Sequence, residues 1–373
     1  MNRTIILASC IVSFFSSYAF SQERELRTNE RLILGTHKER TASISSGDID
    51  GDGDIDVLVA NGRHWPGQNR IFTNDGRGIF TVEKDLGDLR ETTYATELAD
   101  LDNDGDLDVA VGNDMAPNTL FLNDGQGNFT SNGTFGEAYA PTRNITLADL
   151  NKDGFIDILI TNRGRANEIC LNDGNGNFSR TINFGSTNDS TIDVEVADMD
   201  NDGDHDLILA NRDEQPNYVY LNDGALGFNE KIAFGTGKDN TRSIGVGDLN
   251  NDGWADIVTA NIGQPNVIYF GNSANPFTEF VIFDSTDADS YAVALADLNG
   301  DATVDIIIGN SESPNLVFFN EENGAKWTEN VLEEESFDTY DIIAADLNND
   351  GFPDIIEANS DEINRYYLNR KKR

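Results

Sequence analysis

At 373 residues the chain is long enough for two ordinary domains, and 38 % hydrophobic residues supply a substantial core. Its 66 acidic and 26 basic residues give a formal net charge of −40. A charge of that sign and size sets the protein against nucleic-acid phosphates and anionic lipid surfaces.

The first element is apolar. Arg3 precedes a run from Ile5 to Phe20, and Ala19-Phe20-Ser21 fits a small-x-small cleavage site. Residues 1–21 are therefore expected to be a signal peptide. Residues 22–373 are expected to form one domain that is secreted, periplasmic or displayed at the cell surface, not inserted in a membrane after cleavage, and monomeric. Cleavage would remove Cys10 and leave Cys170. That residue stands in a column otherwise filled by Phe72, Phe121, Tyr220, Tyr269, Phe318 and Tyr367, so it reads as a buried apolar residue.

The first strongly informative stretch is Asp48-Ile49-Asp50-Gly51-Asp52-Gly53-Asp54-Ile55-Asp56. Carboxylates at positions 1, 3, 5 and 9 with glycine at 6 make a tight oxygen-lined turn of the kind that wraps a hard cation such as Ca²⁺. The pattern returns six times, at steps of 52, 49, 49, 50, 49 and 49 residues. The candidate ligands are Asp48, Asp50, Asp52 and Asp56; Asp100, Asp102, Asp104 and Asp108; Asp149, Asn151, Asp153 and Asp157; and Asp198, Asp200, Asp202 and Asp206. They continue with Asp248, Asn250, Asp252 and Asp256; Asp297, Asn299, Asp301 and Asp305; and Asp346, Asn348, Asp350 and Asp354. Up to seven Ca²⁺ ions are expected. Together they would bring the net charge from −40 to −26, so much of the acidity is metal chemistry. In the sixth loop Ala302 replaces the glycine, and the bend there is expected to be strained.

Each repeat has one internal grammar. A short run ends at the loop aspartate, as in Thr96-Glu97-Leu98-Ala99-Asp100. After the loop comes a continuous apolar run such as Ile306-Ile307-Ile308, which reads as a strand buried on both faces. A polar turn follows, then a third strand closed by a hairpin signal such as Asn123-Asp124-Gly125. A fourth strand is expected to open at Phe80, Phe129, Phe178, Phe228, Phe277 or Trp327. Four antiparallel strands in about 49 residues make a propeller blade, so the pattern predicts an all-β, seven-bladed β-propeller. The seventh repeat lacks a fourth strand. Leu34-Gly35 stands 13 residues before Asp48, as Phe135-Gly136 stands before Asp149. Residues about 28–34 are therefore expected to complete the last blade and close the ring.

The loops resemble the calcium-binding FG-GAP, or VCBS, repeats of integrin α-subunit propellers and many bacterial surface and secreted proteins. The resemblance covers about residues 28–369. It implies a Ca²⁺-pinned propeller in a family that contains adhesion modules, carbohydrate-associated proteins and a few enzymes, and it leaves the ligand open.

The face opposite the loops carries the candidate binding residues. Six residues before each loop aspartate stand Ala42, Tyr94, Arg143, Ile192, Arg242, Tyr291 and Tyr340, a column expected to ring the mouth of a central channel. Turns on the same face add Arg63, His64, Trp65, Arg163, Arg165 and Arg212. Asn61, Asn113, Asn162, Asn211, Asn261, Asn310 and Asn359 recur in every repeat and read as turn formers bonding local backbone. Arginine binds carboxylate or sulfate bidentately, and Tyr and Trp stack on sugars. The expected ligand is thus an extracellular anionic glycan or acidic protein segment, held by Arg63, Trp65, Tyr94, Arg143, Arg163, Arg165, Arg212, Arg242, Tyr291 and Tyr340. A plainer alternative is that the arginines only offset the chain's acidity. No G-x-S-x-G, H-E-x-x-H or phosphate loop is present, so the enzyme alternative is a polysaccharide lyase or hydrolase at the channel mouth. Its candidates are His64 with Tyr94, Tyr291 or Tyr340.

Overall fold

Apolar β-branched runs between turns rich in Gly, Asn and Asp leave the chain little choice but short strands. The structure, a computed structural model, describes residues 24–372, so the expected signal peptide lies outside the described residues. Among them every element is a strand. The chain opens with β1 (Arg24–Arg27), β2 (Ile33–Gly47), β3 (Asp56–Asn61), β4 (Arg70–Asn74) and β5 (Phe80–Asp85). The second repeat holds β6 (Thr93–Ala99), β7 (Asp108–Asn113), β8 (Asn118–Asn123) and β9 (Phe129–Phe135). The third holds β10 (Thr142–Ala148), β11 (Asp157–Asn162), β12 (Asn167–Leu171) and β13 (Arg180–Phe184). The fourth holds β14 (Thr191–Ala197), β15 (Asp206–Asn211), β16 (Gln215–Leu221) and β17 (Glu230–Asp239). The fifth holds β18 (Thr241–Gly247), β19 (Asp256–Asn261), β20 (Asn266–Tyr269) and β21 (Phe280–Asp284). The sixth holds β22 (Asp289–Ala296), β23 (Asp305–Ser313), β24 (Leu316–Glu321) and β25 (Lys326–Val331), and the last holds β26 (Phe337–Ala345) and the long β27 (Asp354–Lys371).

Repeats two to five are separate four-stranded antiparallel sheets in chain order. The remaining strands join into one 11-stranded sheet, because β23 runs on to pair with β26 and β27 pairs with β2. Among the described residues no sheet closes on itself. In the separate sheets every residue of the second strand is buried, as the continuous apolar runs predict. Cys170 is buried among Leu120, Phe135 and Ile158, and its thiol is pushed up to about 11, burial being the largest cause.

Two expectations about strand limits need correction. The fourth strand opens at Phe80 and Phe129 as expected, but at Arg180, Glu230, Phe280 and Lys326 elsewhere. Phe277 lies outside the strand with φ +62° and is buried in the core shared by repeats four and five. The segment at 28–34 is also not one strand. Residues 24–27 pair with 368–371, and only Ile33 and Leu34 resume pairing, with Arg365 and Asn364. Between them Asn29 Oδ1 accepts the Arg31 N–H at 2.9 Å and Asn29 O accepts the Leu32 N–H, a side-chain-assisted turn that interrupts the strand.

Polar side chains link neighbouring repeats. Each recurrent asparagine donates its amide to a carbonyl in its own turn, as Asn113 does to Pro117 O at 2.9 Å. Its backbone N–H goes to a second asparagine, and that one reaches the next repeat. Asn217 Nδ2, for example, donates to Thr241 Oγ1 at 2.8 Å. The same link joins Asn69 to Thr93, Asn167 to Thr191, Asn266 to Ser290 and Asn315 to Thr339. Asn364 donates to Thr41 at 3.1 Å, from the last repeat to the first. Asn118 Nδ2 alone has no partner. Asn217→Ala should therefore cost about 1–3 kcal/mol, since it orphans a buried Asn211 N–H and removes the link to Thr241. Asn118→Ala removes one bond fewer and should cost less. Equal losses in urea unfolding would mean that the inter-repeat links contribute nothing.

Candidate functional site

The acidic loops are built by their own backbone. Position 1 accepts the N–H of position 6 in every loop, as Asp48 does from Gly53 at 3.0 Å. Position 5 accepts the N–H of position 7, as Asp52 does from Asp54 at 3.0 Å. These bonds require positive φ at positions 4 and 6. Gly53 has φ +91° and Ala302 φ +68°, so the alanine does carry the left-handed strain its position predicts.

Position 9 is buried in every loop and acts as a clamp. Asp56 accepts the N–H of Ile49 at 3.1 Å and of Asn74 at 2.8 Å, tying the loop to the end of the third strand. The six equivalents do the same, Asp256 using Gly271 in place of an asparagine. Burial raises the carboxyls to about 6, and Asp305 to about 7.

In three loops the carboxylates of positions 1, 3 and 9 converge with one oxygen each inside a 4.8 Å span: Asp48, Asp50 and Asp56; Asp100, Asp102 and Asp108; Asp198, Asp200 and Asp206. Position 5 is not in these groups. Asp50 Oδ1, Asp102 Oδ1 and Asp198 Oδ1 are buried without any hydrogen-bond partner. Asp50 is raised by burial first and then by its neighbours Asp52 and Asp48, the response of crowded carboxylates, with Lys84 opposing as the smallest cause. Orphaned buried oxygens beside like charges fit a hard cation. In the loops with asparagine at position 3, Asn151, Asn250 and Asn299 turn their Oδ1 to the position-5 N–H, and Asn348 donates to Asp354.

On the other face, each first strand carries a β-bulge at its entry. The residue the bulge leaves unpaired is Ala42, Tyr94, Arg143, Ile192, Arg242, Tyr291 or Tyr340, the column picked out by position. A bulge re-aims a side chain, and all but Ile192 line one cavity of about 600 Å³ walled by the first strands of all seven repeats. Ile192 is buried instead.

At this mouth arginines lie on tyrosines. Arg63 sits 4.0 Å from the Tyr340 ring and bonds its hydroxyl. Arg143 sits 4.5 Å from the Tyr94 ring and Arg242 5.9 Å from that of Tyr291, while Tyr291 and Tyr340 meet edge to face at 4.9 Å. His64 Nδ1 lies 2.8 Å from the Tyr94 hydroxyl. Burial first, then Arg63, lowers the histidine, and burial raises the tyrosine. His64 is thus neutral and Tyr94 protonated near neutral pH. Trp65 is 66 % exposed.

Sequence reasoning missed the acids interleaved with these cations. Arg143 pairs with Asp114 at 2.7 Å, Arg163 with Asp213 at 2.7 Å, and Arg165 with Glu137 at 3.1 Å. Arg63 lies 3.5 Å from Asp338, and Arg212 3.8 Å from Asp213. Among the described residues Arg242 makes no such ion pair. The plainer reading, arginines balancing local acids, thus describes five of the six. Also missed were Glu97, Asp193, Glu195 and Asp341, which line the cavity. Their signal was in the sequence, three and five residues before the loop aspartates.

The FG-GAP-like repeat model matches residues 48–111, 100–160, 149–209, 198–259, 248–308 and 297–357. Among curated proteins, none matches the chain. Among solved structures, it is similar to BBS1N in its complex with ARL6DN, at 12 % identity and a TM-score of 0.62 over 94 % of this chain and 98 % of that one. It is similar also to the WD40 β-propeller domain of Doa1, at 14 % identity and a TM-score of 0.64 over 91 % and 97 %. At such identities the likeness concerns the fold, which is a β-propeller.

Proposed function

The chain belongs to the FG-GAP-like repeat family, and from that premise we propose that it is a seven-bladed, Ca²⁺-pinned propeller that binds a partner at the mouth of its central cavity. The observation that carries the reading is the bulge in every first strand, which turns Tyr94, Arg143, Arg242, Tyr291 and Tyr340 onto one cavity. Rigid aromatics beside guanidinium groups are the residue types that dominate interface energetics. The partner is an acidic protein segment or an anionic glycan. A protein is favoured by one parallel: the similar BBS1N was solved in complex with a protein. The site of action is extracellular, periplasmic or at the cell surface, in keeping with the signal-like residues 1–21. In the loops, positions 1, 3, 5 and 9 would hold Ca²⁺, and the ion would neutralise the crowded carboxylates and fix the turn between first and second strands.

Arg242→Ala is the direct test, because among the described residues no salt bridge ties Arg242 down. It should weaken binding at least tenfold in a pull-down or glycan-array titration and leave the protein folded, with some loss of stability because Arg242 favours the charged forms of Asp193 and Asp341. Arg143→Ala should weaken binding further and also release Asp114. Undiminished binding in the double variant, or loss of binding from loop-face changes, would move the site elsewhere.

A second reading rests on the 2.8 Å contact of His64 with Tyr94. A neutral imidazole bonded to a tyrosine hydroxyl can take a proton from a sugar carbon while the phenol supplies one to the leaving oxygen, the pairing a polysaccharide lyase needs. Incubation with uronate-containing polysaccharides should then generate unsaturated uronate, read by absorbance, and His64→Ala should abolish it. No absorbance change with any of them leaves the binding module alone.

A further inference from the structure

Where the last repeat meets the first, a cleft opens beside the third strand, and side chains fill it. Leu34, Glu39, Arg70, Phe72 and Glu83 line a space of only about 10 Å³ there. The Arg70 guanidinium bonds Glu83 and lies 3.7 Å from Glu39, so one cation plugs the cleft between two acids.

Between repeats four and five the same cleft is open, with a volume of about 530 Å³. By distance from the loop aspartates, Phe234 and Asp239 stand where Leu34 and Glu39 do. By distance from the asparagine that bonds the next repeat, Val267 and Tyr269 stand where Arg70 and Phe72 do. Phe280 pairs with Tyr269 as Glu83 pairs with Phe72. Valine and phenylalanine thus replace the arginine and glutamate of the plug, while the acid of the other wall is kept.

The result is an aromatic cleft with one negative charge. Phe234, Tyr269, Phe277 and Phe280 all line it. The Phe234 ring lies 5.6 Å from that of Tyr269 and 6.1 Å from that of Phe277, and Tyr269 lies 6.1 Å from Phe280. Asp239 accepts the Thr236 N–H at 2.9 Å, the Thr236 hydroxyl at 2.6 Å and the Gly237 N–H at 3.3 Å. These donors fix the carboxylate without neutralising it, and among the described residues it has no ion-pair partner. Its charge reaches the cleft: Tyr269 is raised by burial first and by Asp239 second. No Lys, Arg or His lines the space, so an anion would find nothing to hold it.

We propose that this cleft binds a small organic cation with an apolar body, an alkylated ammonium, in the place that the Arg70 guanidinium fills between the last repeat and the first. Aromatic faces attract a cation within about 6 Å, and a fixed carboxylate beside them adds a counter-charge. A cleft of about 530 Å³ has the size of a small-molecule pocket. A single carboxylate among aromatic rings does not suit a hard metal ion, which takes several oxygens. None of its lining residues lines the central cavity, so the site stands apart from the proposed partner site and from the acidic loops.

The probe is benzyltrimethylammonium, titrated into the full chain by calorimetry with Ca²⁺ present and at physiological ionic strength, where attraction to the acidic surface is screened. One saturable site per chain is expected, with affinity about tenfold above that for neopentylbenzene, which has the same shape and no charge. Val267→Arg/Phe280→Glu rebuilds the plug of the first cleft and adds one charge of each sign, so the net charge is unchanged. It should abolish binding. Phe280→Ser alters a side chain that is 58 % exposed, cannot disturb the core, and should weaken binding severalfold. No saturable binding to the wild-type chain overturns the proposal. Equal affinity for the uncharged compound overturns the choice of a cation. Undiminished binding in Phe280→Ser, whether or not the double variant folds, overturns the assignment to this cleft.

Discussion

Chelation with EDTA is expected to lower the melting temperature by about 10–20 °C, with recovery on adding Ca²⁺ and little recovery with Mg²⁺. The size follows from linkage. A site filled at a hundredfold its dissociation constant stabilises by about 2.7 kcal/mol, and several sites add. Removing the ions also leaves three carboxylate oxygens within 4.8 Å of one another in loops one, two and four, with Asp50 Oδ1, Asp102 Oδ1 and Asp198 Oδ1 unpaired. Mg²⁺ demands near-ideal octahedral geometry and retains water, which a backbone-fixed loop does not provide. Loops one, two and four should dominate the effect. Asp50→Asn, Asp102→Asn and Asp200→Asn, which imitate the asparagine-bearing loops, should each recover part of the chelated protein's stability by easing repulsion. A melting curve indifferent to EDTA would mean that the loops are held by their hydrogen bonds alone.

Much of this architecture is legible in the sequence because each repeat restates it. The loop aspartates, the buried second strand and the turn asparagine are each enforced by backbone geometry, so one residue type recurs at one spacing. The bulge column was found by position although its residues differ, since Tyr94, Arg143 and Ile192 share a register and not a chemistry. What the sequence hid is what breaks the period. The turn at Asn29 splits the first strand for a local side-chain reason that no other repeat shares. Phe277 falls before β21, which starts at Phe280, as Phe178 and Phe228 fall before β13 and β17. The ion pairs of the mouth, and the gathering of Glu97, Asp193, Glu195 and Asp341 on one cavity, join residues of different repeats. A linear pattern cannot show that juxtaposition, and it is where this chain differs from its own consensus.

Deleting residues 22–35 is the second large effect expected, and it tests whether the N-terminal segment closes a seven-bladed ring. The pairing it would remove is specific: residues 24–27 lie along 368–371, and Ile33 and Leu34 along Arg365 and Asn364. Leu34 is buried in a core with Ile44, Val57 and Phe72 of the first repeat and Ile356, Tyr366 and Leu368 of the last. Losing that side chain alone costs about 2–5 kcal/mol. The deletion also bares the edge of β27, a run through Tyr366-Tyr367-Leu368 with unpaired backbone groups, which is a template for pairing with another chain. Other ties across the same seam remain, among them Asn74 Nδ2 to Leu347 O at 2.7 Å and Tyr366 Oη to Gly78 O at 3.0 Å. The truncated protein should therefore still fold locally, lose cooperativity in unfolding, and aggregate in proportion to concentration. Leu34→Ala, which keeps the backbone pairing, should lower stability without aggregation and so separate the core contribution from the edge contribution. A truncated chain that stays monodisperse and melts like the parent would show that the seam is sealed without its N-terminal strand.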